Sequence, residues 1–300
     1  MSPRLILPLL LLAAAPALAS TPIDETRPVA ADGLVRIDNL KGSITVETWD
    51  RPEVHIGGHL GEGVEKLEID ASGGDVSVQV HYPRSSGWFG WGSSGGGEPS
   101  DLQVRLPAGV SLAIDAVSAT VDIAGVAGQT LEVETVSGNV TLRQVRPGEA
   151  RLASVSGGLE GRLDTSELRA ETVSGDIDLA GRLGGRVALE TVSGDVRLQA
   201  GALERLGFNS VSGNARLELA LQKDGRVQAE SVSGRLAVTL PADTSARLRV
   251  ESFSGRISSP VGKVRTEQYG PGSHLETRLG EGQGDIRLES FSGNVQVEIK

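Results

Sequence analysis

Carboxylates, histidines and serines at recurring positions are the residues of this chain that could do chemistry. Asp176, Asp178 and Asp195 fall on adjacent repeats, and paired carboxylates on neighbouring strands can split acid and base roles on a polysaccharide if their environments differ. Asp176 and Asp195, however, follow a Ser-Gly pair where Asn139, Asn214 and Asn294 stand in other copies, a turn position that needs no catalysis to explain it. The serines of the recurring Val-Ser-Gly have no histidine beside them, and their number argues for a structural duty rather than nucleophilic attack. No catalytic residue is assigned. His55 and His59 could share a strand face, but Gly57-Gly58 lies between them and no third ligand is evident, so neither a metal nor a cofactor is expected.

An acidic column faces outward three residues before the repeat serine: Asp115, Glu134, Glu171, Glu190, Glu230, Glu251 and Glu289. Like charges at strand spacing repel, so they require cations, a cationic partner or arginines. Arg151, Arg169, Arg249 and Arg287 lie two residues before the column, which predicts a compensated, solvated face instead of a calcium site. One irregular feature stands apart. The glycine-rich loop 84–101 carries Trp88, Phe89 and Trp91, a candidate contact site for a sugar ring, a partner or a membrane interface, with a cover over the open end of the sheet as the plainer reading.

What positions these residues is the repeat. Val-Ser-Gly recurs with its serine at 137, 156, 174, 193, 212 and 233, Phe-Ser-Gly continues it at 254 and 292, and Val117-Ser118-Ala119 opens it. The steps are 18 to 21 residues, with a last one of 38 that is two periods, the mark of a repeat architecture. Around each serine the residues at −4 and +3 are apolar, most of those at +5 are too, and the residue at −2 is almost always a small hydroxyl, predicted to point inward and bond from layer to layer. Gly138, Gly157, Gly175, Gly194, Gly213, Gly234, Gly255 and Gly293 are read as turn glycines, placed for a positive φ. Two short strands per copy predict an all-β fold, a parallel β-helix or β-solenoid with rungs of about 19 residues.

Residues 1–19 read as a signal peptide, with Arg4, an apolar run from Leu5 and Ala17-Leu18-Ala19 before Ser20; 20–34 read as a leader. An atypical β-rich section covers 35–110, its strands alternating apolar and polar residues. The repeats fill 111–300, with a hairpin or flap inserted at 261–284. The chain ends directly after a strand, and unless that flap shields it the last layer invites end-to-end self-association. The full chain of 300 residues has no cysteine and a net charge of −10, or −11 without Arg4, which disfavours nucleic acid and anionic lipid.

Asn39-Leu40-Lys41-Gly42-Ser43-Ile44-Thr45-Val46, Trp49-Asp50-Arg51, Leu106-Pro107-Ala108-Gly109 and the serial Val-Ser-Gly-Asn/Asp copies together resemble the bacterial putative-adhesin β-solenoid family. That resemblance implies a parallel β-helix-like fold and a cell-envelope role, and offers no catalytic residues to carry over. The expectation is an exported, periplasmic or surface protein that binds or scaffolds an envelope protein or glycan. Alternatives are a carbohydrate-active enzyme on a β-helix and an envelope-stress-associated structural protein.

Overall fold

Period-two alternation becomes strand with one buried face throughout the chain. The computed structural model describes residues 21–83, 96–266 and 272–300, with no helix among them. The first section holds β1 (Thr21–Pro28), β2 (Leu34–Trp49), β3 (Glu53–Leu60), β4 (Lys66–Ser72), β5 (Asp75–His81) and β6 (Ser100–Pro107). The segment expected as a leader thus contributes a strand. Next come β7 (Ser111–Ala124), β8 (Thr130–Thr135), β9 (Val140–Val145), β10 (Glu149–Ser154), β11 (Leu159–Leu163), β12 (Thr165–Thr172), β13 (Ile177–Ala180), β14 (Leu183–Thr191), β15 (Val196–Ser210), β16 (Ala215–Ser231) and β17 (Arg235–Leu240). The chain closes with β18 (Ala246–Ser252), β19 (Ile257–Ser258), β20 (Arg265–Thr266), β21 (Ser273–Leu279), β22 (Gly284–Ser290) and β23 (Asn294–Ile299).

All belong to one 23-stranded sheet, bonded along two series of parallel neighbours. In the first series the order is β5, β2, β7, β8, β10, β12, β14, β15, β16, β22, β18. In the second it is β6, β2, β7, β9, β11, β13, β15, β16, β17, β23, β19. The inward residues of both series, such as Leu131 and Val133 of β8 and Val140 and Leu142 of β9, meet in a single apolar cluster. Burial of these rows drives the fold, since each pair of short strands has only one apolar face to cover.

The expected parallel β-helix or β-solenoid of about 19-residue rungs with an atypical first section is corrected on three counts. Strands β2, β7, β15 and β16 run through corners and join both series, so the sheet is continuous where separate short strands were expected. Copies are also not stacked in chain order. The copy around Ser292, in β22 and β23, sits between the copies of Ser233 and Ser254. Finally, the ends are antiparallel: β4 on β5, β1 on β3 and β3 on β6 at one end, β21 on β18 and β20 on β21 at the other. A repeat period dictates which side chains face inward but is silent on which copies become neighbours. Antiparallel returns need only a short connection, whereas parallel neighbours need a crossover, so hairpins cover edges that would otherwise recruit another chain. The last strand, β23, is consequently an interior one between β17 and β19, not the exposed final layer expected at Lys300.

Candidate functional site

Each Val-Ser-Gly corner is tied both within its own copy and to the next. Within the copy, the buried hydroxyl two residues before the serine accepts a hydrogen bond from the corner glycine N–H: Thr135 from Gly138 at 3.1 Å, Ser154 from Gly157 at 2.9 Å, Thr172 from Gly175 at 2.8 Å and Thr191 from Gly194 at 3.0 Å. These hydroxyls close their own corner, a local turn bond; among the described residues only Ser252, whose Oγ also donates to Gly293 O at 3.1 Å, adds to the ladder between copies that the sequence predicts. The motif serine does that work. Ser137 N and Oγ both donate to Val117 O, at 2.8 and 3.1 Å, and Ser156, Ser233 and Ser292 repeat the pattern.

The residue after the glycine completes the tie. Asn139 Oδ1 accepts from Gly158 N at 2.9 Å, Asp176 Oδ1 from Asp195 N at 2.8 Å and Asp195 Oδ1 from Asn214 N at 2.8 Å. Asp176 and Asp195 are therefore engaged with backbone, and Asp178 is ion-paired with Arg197. Of the turn glycines, Gly213 and Gly234 use a positive φ, 128° and 105°. The others need the space instead: a Cβ on Gly138 would stand 1.7 Å from Ala119 O, and one on Gly194 1.8 Å from Gly175 O.

With Thr135 facing in, alternation turns Val136 outward, onto the face that carries Glu134. The same holds in every copy. An unbroken row runs from Val117 through Val136 and Val155 to Val232, then Phe291 and Phe253, nine side chains that are 38% to 57% exposed. The transposed last copies keep the row continuous, and the two phenylalanine rings stack with centroids 4.9 Å apart and planes 8° from parallel. The valine row and the acidic column form a groove of about 1630 Å³, bounded by Asp38–Leu40 and Gln79–Val80 at one end and Gly272–Glu276 at the other. Sequence reasoning placed the acidic column but missed the valines. The signal was there, since an apolar residue recurs in every copy at an outward position.

Nine carboxylates but only one arginine, Arg249, line the groove. Arg169 beside it pairs with Glu171 and lies 3.6 Å from Glu190; Arg287 pairs with Glu289; Arg249 lies 3.3 Å from Glu276. Compensation is thus partial: no described residue forms an ion pair with Glu134 or Glu230, although Glu230 accepts from Gln228 at 2.7 Å. At one end Asp38 and Asp115 are register neighbours. Burial, then the hydrogen bond and charge of Asp115, push the Asp38 carboxyl above the usual carboxylate range, against the lowering pull of Arg36 and His81. Nearby, Tyr82 Oη lies 2.9 Å from Ser100 Oγ and 3.1 Å from Asn39 Oδ1, and burial raises the phenol above its ordinary value.

Trp88, Phe89 and Trp91 lie outside the described residues, as do residues 1–20 and the tip of the hairpin at 267–271. His55 bonds Asp24 Oδ1 at 2.9 Å, and His59 stands in register with Pro22 and Asp101. Among the described residues no three His, Cys, Asp or Glu gather as a metal-holding group.

Solved structures align with most of this chain. One from Parabacteroides distasonis ATCC 8503, described as a putative lipid binding protein, aligns over 92% of this chain and 96% of its own at 14% identity and a TM-score of 0.50. A second from the same organism, described as a putative adhesin, aligns over 93% and 98% at 12% identity and a TM-score of 0.48. A putative adhesin from Parabacteroides merdae ATCC 43184 aligns over 92% and 96% at 12% identity and a TM-score of 0.41. No curated protein matches the chain. Residues 34–298 match the pattern of a family described as Toastrack DUF4097.

Proposed function

The chain belongs to the Toastrack DUF4097 family, and from that premise we propose that it is an exported, non-enzymatic protein of the cell envelope that binds a macromolecular partner along the groove. The observation that carries this reading is the row of nine outward apolar side chains beside a partly compensated acidic column. Packing explains the inward rows, the serines and the glycines. It does not explain an exposed valine in copy after copy, which costs solubility unless something covers it. The signal-like residues 1–19 support export, and the description of a neighbour of this fold as a putative lipid binding protein agrees with a binding role.

The test is photo-cross-linking in intact cells from groove positions Val155 and Val192, with Arg143 on the outward face of the second series as the control position. Adducts expected from the groove positions alone, on a mature chain starting at Ser20, support both binding and export. Adducts of equal yield from all three positions, or none, remove the groove from the account.

A further inference from the structure

Resting on that reading, the geometry points to a specific occupant: a cationic amphipathic helix supplied by a partner protein, its apolar stripe seated on the valine row and its lysines or arginines facing the carboxylate column. Charge complementarity selects the cation. The lining holds nine carboxylates, the register neighbours Asp38 and Asp115 among them, against one lining arginine, and the flanking Arg169 and Arg287 offset only part of that charge. An anionic lipid would meet the same field with repulsion, and a neutral glycan would leave it unanswered.

Shape selects the helix. Neighbouring strands are about 4.8 Å apart, and an extended peptide laid along the row would offer a side chain to it only every ~6.7 Å, out of step with the valines. A helix has a pitch of about 5.4 Å and presents a continuous apolar stripe, which needs no residue-by-residue match. The row's nine side chains span about 38 Å at that strand spacing. This corresponds to a helix of about 25 residues, the helix-in-groove mode of recognition with acidic partners along one flank. The stacked Phe253 and Phe291 give the row its largest apolar surface at one end.

The experiment is fluorescence anisotropy on the full mature chain with a labelled helical peptide of about 25 residues, leucine at i, i+3, i+4 and i+7 and lysine on the flank. Comparators are a scrambled peptide of the same composition, a version with glutamate replacing lysine, and phosphatidylcholine vesicles. The lysine helix is expected to bind at least about tenfold more tightly than either peptide comparator. Its affinity should fall by about tenfold in Glu134→Gln/Glu230→Gln and in Val155→Thr/Val192→Thr, and weaken with salt. Glu160→Gln/Glu218→Gln, on the second series, removes the same charge elsewhere and should leave binding unchanged. Equal binding of the scrambled or glutamate peptide, or of the vesicles, with loss in the valine variant overturns the cationic helix while leaving the groove a docking surface. If no probe responds to either groove variant, the inference and the functional reading fall together.

Discussion

A glycine is kept for different reasons at different corners, and that difference is measurable. At Gly194 the preceding copy's carbonyl occupies the place of a side chain, 1.8 Å from an added Cβ, whereas at Gly207 nothing lies within 4 Å. Gly194→Ala is expected to destabilise by about 1–3 kcal/mol or more, as overpacking does. Gly207→Ala should be neutral or gain up to about 1 kcal/mol. Urea titration of both variants checks this, and equal effects would remove the crowding argument. Asp38 gives a pH prediction. Its carboxyl, raised on folding by burial and by Asp115, binds its proton more tightly in the native state. That contribution to stability is full below the unfolded value and lost as pH rises through the folded one. Asp38→Asn should therefore raise stability at neutral pH by about 0.2–1 kcal/mol, toward the low end for a half-exposed pair, and leave it little changed in acid. Melting temperatures of both proteins at neutral and acidic pH are the measurement; an equal offset at both would sink the idea. At this scale sequence reasoning succeeded with inward columns, because alternation alone decides them. It assigned most of the −2 hydroxyls the wrong partner, Ser252 excepted, because one hydroxyl can bond along or across the stack with the same sequence.

Strand order is where the elements depart from the chain. β22 and β23 come last in sequence but lie between β16 and β18 and between β17 and β19. Ending the chain after Gln283 thus removes interior strands and strips β18 of its parallel neighbour, leaving β21 as its only partner among the described residues. Hydrogen exchange should then show the amides of β18 and β21 losing protection relative to the full chain. Undiminished protection there would contradict the strand order. The individual strands were legible in advance: Val35–Ile37, Ile44–Val46, Val54–Ile56, Leu67–Ile69, Val76–Val80 and Leu102–Leu106 all fall in strands. Their neighbours were not, because a repeat makes every copy an acceptable partner for every other. Only the length of the connections and the need to cover edges choose among them.

For the molecule as a whole, one apolar cluster runs from Ile23 to Val297, so stability depends on a core with no internal boundary. Phe208, 2% exposed, is its largest member, in a column otherwise filled by aliphatic residues. Phe208→Ala is expected to cost about 3–5 kcal/mol, read from denaturant midpoints at unchanged slope; a loss below about 1 kcal/mol would mean that the core closes around the gap. By itself the sequence determined the all-β class, the faces of the strands and the position of the corners, because period-two alternation and a recurring Ser-Gly leave a strand few other ways to bury its apolar side. Tertiary structure alone decided the order of the copies, the antiparallel ends and the groove. Those depend on which strands become neighbours, and a carboxylate column and a valine row become one surface only when nine separate copies lie side by side.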